Sequence, residues 1–224
     1  MKFTLEIPDP ATMRVGKEVY ISLPAGTALD RIHQKIFNAH QFNGTDKGDA
    51  RFSPIRDAAG AVIPTIYAAE GFECAACEII LRCPDAPAVD PASGLPTFRI
   101  VYPSDFKDHS HSVVRTALDL KLVDLTIAGQ RKIGVDGNAL LAGPKSTYPA
   151  TRGWAAQIHA KCPDAQGLYY SSFQFGPQFA VVLFGDRLGP GALVAETSRS
   201  VADPACHDEI GSLARSLSIE YGDV

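Results

Sequence analysis

Glu78 is a carboxylate placed where a charge needs a reason. In the run Glu73-Cys74-Ala75-Ala76-Cys77-Glu78-Ile79-Ile80-Leu81, the residues Cys74, Cys77 and Leu81 recur at helical spacing, which predicts a helix with one buried face. Glu78 lies one turn from both Cys74 and Leu81, so it borders that face. Desolvating a carboxylate is costly, and such a residue has a partner, a task, or a path to solvent along the edge. Just upstream, the strand-like run Val62-Ile63-Pro64-Thr65-Ile66-Tyr67-Ala68-Ala69 delivers Tyr67 close to the helix. A strand carrying an aromatic, followed by a helix presenting an acid, is a workable wall for a small-molecule pocket. On this segment alone, a snorkelling carboxylate is slightly the better explanation.

Other residues carry chemistry of their own. Arg31 and Arg51 stand beside apolar neighbours (Leu29 and Ile32; Phe52), as arginines aimed into a cleft do. Their forked guanidinium groups suit phosphate, with an ordinary ion pair as the competing use. Ser172 ends a strand, with Gly176 and Pro177 just beyond. No Gly-x-Ser-x-Gly elbow surrounds it, which argues against a hydrolase nucleophile and leaves a ligand-binding or turn-ending hydroxyl. His33 reads as a packed histidine rather than a base. Asp124 and Arg152 read as a strand-end charge and a helix-surface charge.

Cys74 and Cys77 form a Cys-x-x-Cys pair, but Cys162, Cys206 and His207 offer no second half-site of matching spacing. A redox pair precedes its helix instead of lying inside the apolar stripe. Buried, inert thiols are the better reading, and no metal site is expected. The odd total of five cysteines also argues against a complete disulfide framework.

These residues need elements to hold them. Short strands are predicted at 17–23, 62–69, 98–102, 118–125, 167–172 and 179–184, the last apolar on both faces and so central to a sheet. Helices are predicted at 73–81, at His111 to Ala117, from Tyr148 with Thr151 or Ser146 as cap, and from Ala205 to Leu217. A turn is expected from Asp57 to Gly60, and Cys83 to Pro96 is proline-rich loop. Strands and helices do not alternate regularly, which favours an α+β fold over a doubly wound one. No linker or repeat divides the 224 residues, and a single domain is expected.

Composition bounds the function. Hydrophobic content of 46% and charged content of 21% are those of a globular protein, and a net charge of −4 gives no footing for a nucleic-acid or membrane-surface partner. The N-terminus lacks a signal-peptide core and no run is long enough to span a bilayer, so a cytoplasmic location is expected. No Gly-x-Gly-x-x-Gly or Walker loop follows a strand.

Leu29-Asp30-Arg31-Ile32-His33, Arg51-Phe52-Ser53, Ile66-Tyr67-Ala68-Ala69-Glu70 and Ala76-Cys77-Glu78-Ile79-Ile80-Leu81 follow one another in an order that resembles the RES-domain family. The resemblance continues through Leu120-Lys121-Leu122-Val123-Asp124-Leu125, Tyr148-Pro149-Ala150-Thr151-Arg152-Gly153-Trp154-Ala155, Gly167-Leu168-Tyr169-Tyr170-Ser171-Ser172 and Val182-Leu183-Phe184-Gly185-Asp186. It covers residues 28 to 187, leaving 1–27 and 188–224 as peripheral extensions. No single motif is specific; the order of eight is.

The resemblance implies a toxin of an Xre–RES toxin–antitoxin pair with a compact ADP-ribosyltransferase-like fold, a mainly antiparallel sheet flanked by helices. It implies NAD+ as substrate, with Glu78, Arg31 and Ser172 in catalysis, and Arg31, Arg51, Tyr67, Ser172 and neighbouring His33 in binding. The acceptor of the ADP-ribosyl group stays open among phosphate, water and a protein side chain, as does a non-catalytic nucleotide-binding role. The implied partner is a helix-turn-helix antitoxin that blocks the active site and binds DNA for the complex. One departure stands out: many relatives carry a basic residue after the serine, where this chain has Phe173.

Overall fold

The computed structural model describes residues 6–84, 89–94, 97 and 99–222. Its strands are β1 (Tyr20–Leu23), β2 (Ala28–Gln34), β3 (Ile55–Arg56), β4 (Val62–Ile63), β5 (Thr65–Ala69), β6 (Arg99–Val101), β7 (His109–Thr116), β8 (Leu120–Asp124), β9 (Gly167–Ser171), β10 (Phe179–Phe184), β11 (Leu193–Ser200) and β12 (Ile219–Tyr221). The helices are α1 (Gly71–Ile79), α2 (Ile127–Ile133), α3 (Ala139–Ala142), α4 (Tyr148–Lys161) and α5 (Pro204–Ser216). Among the described residues, eight strands form one sheet in the order β1-β8-β9-β10-β5-β2-β7-β11. Only β8 and β9 run parallel in it; every other pairing is antiparallel. The fold is α+β, as expected.

β10 alternates between two cores. Ala180, Val182 and Phe184 face the side covered by helices, where they join Phe52, Trp154, Ile158 and Ile210. Val181 and Leu183 face a second cluster with Leu29, Val114 and Leu122 that holds no helical residue. The sheet curls around this second cluster, so a strand apolar on both faces sits in the middle, between β9 and β5.

α1 forms where the spacing predicted. Cys74, Ala75, Ala76 and Cys77 are buried against the sheet, and Glu73 in its first turn suits the positive end of the helix dipole. Burial pushes the Cys74 thiol up to about 12 and Cys77 to about 11, so both stay protonated at neutral pH.

Several expectations need correction. The helix expected from His111 to Ala117 is strand β7. Val113 and Val114 are β-branched, and the strand is paired on both sides, by β2 and β11. Neither Thr151 nor Ser146 caps α4; the N-cap position is Thr147, without a side-chain bond. β2, β3, β11, β12, α2 and α3 were not anticipated. The described parts of the flanks, 6–27 and 188–222, are built into the fold. β1 pairs with β8, and Trp154 donates its indole N–H to Pro8 O at 2.7 Å. β11 extends the sheet, and α5 buries Cys206, Ile210 and Ala214. The loop expected from Cys83 to Pro96 lies in part outside the described residues, as do Phe98 and residues 1–5. Among the described residues, no helix is long and apolar enough to cross a membrane.

Candidate active site

A split in the main sheet makes the cleft. β2 and β5 are neighbours, yet they share a single pair, Asp30 with Ala69. Beyond it β2 stays with β7 as far as Gln34, and β5 stays with β10 as far as Thr65. Lys35 N–H donates to Asp108 O at 2.8 Å, so by antiparallel alternation the odd-numbered residues of β2 bond β7 and the even-numbered ones face β5. Glu70 N–H donates to Phe179 O at 2.9 Å, which likewise turns Thr65, Tyr67 and Ala69 toward β2. Thr65 is taken by a reciprocal bridge to Asn43. The main-chain groups of Ile32 and Tyr67 therefore face the gap without a strand partner. The resulting cleft has a volume of about 310 Å³, and Arg31, His33, Arg51, Tyr67 and Glu78 all line it.

Glu78 reaches the cleft from the end of α1 and is held from behind. Ser172 Oγ donates to Glu78 Oε1 at 2.6 Å. Ser172 Oγ itself accepts the N–H groups of Gln174 (3.2 Å) and Phe175 (2.9 Å). With its lone pairs so occupied, the hydroxyl has its proton free to point only at the carboxylate. Ser172 is only 4% exposed and does not line the cleft. Burial raises the Glu78 carboxyl above its ordinary range. The Ser172 bond, the charges of Arg82 and Arg51, and the Gln174 N–H draw it back down.

Tyr67 anchors the segment that carries Arg51. Its hydroxyl accepts the Phe52 N–H at 2.9 Å, and burial raises it to about 12. Phe52 is fully buried in the helical-side core and stacks edge-on against Tyr170, with ring centroids 5.5 Å apart. Thr151, expected as a cap, instead donates its hydroxyl to Arg51 O. The Arg51 guanidinium donates to Leu140 O (3.2 Å) and Gly143 O (3.1 Å), and lies 4.8 Å from the Tyr148 ring centre.

Arg31 stands on a different wall. Its Nη1 donates to Ala39 O at 2.5 Å, while its buried Nε has no hydrogen-bond partner among the described residues. Burial lowers its guanidinium to about 10, and it remains charged at neutral pH. Next to it, His33 Nδ1 lies 3.0 Å from Gln34 O and Nε2 2.8 Å from Ser112 Oγ. A carbonyl only accepts, so Nδ1 carries the proton, and the Ser112 hydroxyl stands between Nε2 and Ser198 Oγ. Burial and the Arg31 charge lower the His33 pKa, keeping the ring neutral.

Sequence reasoning missed Arg82. It lines the cleft, donates to the Tyr148 hydroxyl, and places its guanidinium 5.6 Å from that ring's centre. The signal was available, since Glu78 and Arg82 are four residues apart. Tyr170 and Gln174 also line the cleft, as does Phe173, whose ring is half exposed. Asp124 and Arg152 do not. Asp124 accepts the Thr126 N–H (2.7 Å) and hydroxyl (3.0 Å) at the start of α2, and Arg152 pairs with Asp49 at 3.1 Å. Among the described residues no group of three or more His, Cys, Asp or Glu is placed to hold a metal ion.

A family model described as RES domain matches residues 28–204. No curated protein matches. In the crystal structure of the M. tuberculosis MbcT-MbcA toxin-antitoxin complex, one chain superimposes with a TM-score of 0.58 at 16% identity, covering 88% of this chain and 93% of that one. At that identity the likeness is one of fold.

Proposed function

This chain belongs to the RES-domain family, and from that premise we propose that it is the toxin of a type II toxin–antitoxin pair, cleaving the nicotinamide–ribose bond of NAD+ and passing the ADP-ribosyl group to phosphate or water. The observation that carries the reading is the Glu78 carboxylate, held by Ser172 at 2.6 Å on the wall of a cleft that also presents Arg31 and Arg51.

The chemistry follows from the atoms. When the bond between ribose C1′ and the nicotinamide nitrogen breaks, its electron pair leaves with nicotinamide and neutralises the pyridinium. Positive charge builds on the ribose as an oxocarbenium-like species. A carboxylate fixed beside that carbon stabilises the charge without reorganising. An acceptor oxygen then bonds to C1′ and releases its proton. Arg31 and Arg51 suit the diphosphate. The unpaired main-chain edges of Ile32 and Tyr67 offer donor and acceptor to a planar group such as the carboxamide of nicotinamide. In this reading NAD+ is the substrate, and Glu78, Arg31 and Arg51 are its charged partners. The partner proposed is a helix-turn-helix antitoxin of the Xre type that closes this cleft in a hetero-oligomeric complex in the cytoplasm. The toxin–antitoxin complex with the same fold supports that pairing.

Purified protein incubated with NAD+ is expected to release nicotinamide, and mass spectrometry with and without phosphate identifies the ADP-ribosyl product. Glu78→Gln that consumed NAD+ at the wild-type rate would remove the reading's central residue.

A further inference from the structure

Two cationic stations lie in the cleft, and they are separate. Arg51 is anchored on Leu140 O and Gly143 O and Arg82 on the Tyr148 hydroxyl, whereas Arg31 is anchored on Ala39 O. Arg51 and Arg82 approach the same aromatic ring, Tyr148, at 4.8 and 5.6 Å from its centre. Tyr148 is 1% exposed, and its hydroxyl accepts from Arg82. Among the described residues no carboxylate forms an ion pair with either guanidinium.

Such an arrangement is not built for stability. Each cation gains only modestly from the ring face, while burial and the Arg82 charge both work against the charged form of Arg51. Glu78 offsets part of this but is bonded to Ser172 instead. Two partly desolvated guanidinium groups, fixed on one ring and open to a cleft, are completed by an anion that brings its own oxygens.

We infer that Arg51, Arg82 and the Tyr148 ring that fixes them form a seat for a phosphate oxyanion on the Glu78 side of the cleft, distinct from the Arg31 wall. Tyr148 is a positioning residue, and Arg51 and Arg82 contact the anion. The seat itself stands on geometry; only the source of the phosphate rests on the proposed reaction. That source is either the diphosphate of the dinucleotide or free inorganic phosphate acting as acceptor beside C1′. In the second case a phosphate oxygen forms the new bond to C1′ as the nicotinamide bond breaks, and the products are ADP-ribose 1″-phosphate, nicotinamide and a proton.

The test measures binding of inorganic phosphate and of ADP to the full chain by 31P NMR line broadening, for wild type, Arg82→Gln, Arg82→Lys, Tyr148→Phe and Arg31→Gln. Arg82→Gln is expected to weaken phosphate or ADP binding by about tenfold or more, the loss of a charge-assisted hydrogen bond. Arg82→Lys is expected to recover part of it, and Arg31→Gln to leave inorganic phosphate binding unchanged. Free phosphate is the guest if NAD+ consumption rises with phosphate concentration and Arg82→Gln abolishes that rise. The donor's diphosphate is the guest if Arg82→Gln weakens ADP and raises KM for NAD+ at every phosphate concentration. The seat is overturned if a folded Arg82→Gln, checked by thermal melting, binds both probes like wild type, or if wild type binds neither. Arg82-dependent phosphate binding without nicotinamide release upholds the seat and sinks the reaction; nicotinamide release with phosphate and ADP binding indifferent to Arg82 does the reverse.

Discussion

The Ser172 hydroxyl is bonded to Glu78 Oε1 at 2.6 Å and hidden from the cleft that Glu78 lines. On the proposed reaction the serine would act on the carboxylate rather than on a ligand. Its proton is committed to Glu78 because its lone pairs receive two main-chain N–H groups. Ser172→Ala is expected to lower kcat for NAD+ cleavage by about 10–100-fold, as loss of a hydrogen bond to a charged catalytic group does, with KM little changed. Steady-state kinetics decide: a KM rising in step with the fall in kcat would place the serine on the substrate.

The acid limb of activity is expected at unusually high pH. Burial is the largest influence on Glu78 and raises its carboxyl, so the ionised form that stabilises positive charge is lost on acidification sooner than for an exposed glutamate. Ser172→Ala removes the strongest of the opposing influences and moves the limb further up in pH. Rates of nicotinamide release across pH 4 to 8 would show both, with wild type lying to the acid side of the variant.

The candidate site was assembled chiefly from the order of its motifs, with local signals in a supporting part. Helical spacing around Cys74, Cys77 and Leu81 placed Glu78 at the border of a buried face, and α1 forms there. The apolar run 179–184 announced a central strand. What defeated sequence reasoning was long-range. β7 was misread as a helix because its histidines and serines find partners far along the chain: His111 with Asp30 at 2.6 Å, Ser112 with Ser198 at 2.9 Å. β11 is an exposed edge strand whose side chains lack the alternation that marks a half-buried one. The split between β2 and β5 depends on where pairing stops, and no local pattern encodes that. Arg82 was overlooked although it follows Glu78 by four residues, just past the end of α1.

Arg31 is fitted as a fork, not as a point charge. One Nη donates to Ala39 O while the buried Nε is unpartnered, the arrangement of a guanidinium that keeps a donor for a ligand. Arg31→Gln is expected to raise KM for NAD+ by about 10–100-fold, the scale of a lost charge-assisted bond. Arg31→Lys should recover less than half of the lost binding free energy. Isothermal titration of ADP-ribose into the three proteins checks this, and full rescue by lysine would contradict the fork.

Gly167 is required by packing between strands. A Cβ there would sit 2.2 Å from Val182 O and 3.0 Å from Leu183 Cα, both backbone atoms of the central strand β10. No rotamer relieves that contact, so Gly167→Ala must push β9 away from β10 and β8. The expected cost is about 3 kcal/mol or more, a fall in Tm of roughly 6–12 °C for a chain of this size. Calorimetry measures it; a Tm within a degree or two of wild type would mean the strands are spaced differently.

His33 makes stability depend on pH in a definite direction. Burial first, and then the Arg31 charge, lower its pKa below the ordinary 6.5. As pH falls through 6.5 the unfolded chain takes up a proton that folded His33 refuses, so the unfolded state binds more protons and stability declines. The stabilisation is complete above that pH and continues to drain away until the folded ring itself titrates. His109, also lowered chiefly by burial, acts in the same sense. His33→Gln is therefore expected to flatten the stability curve between about pH 5 and 7, and Arg31→Gln to flatten it partly by removing one cause of the shift. Urea midpoints at half-unit pH steps provide the measurement, and a His33→Gln curve as steep as that of wild type would assign the acid sensitivity to other groups.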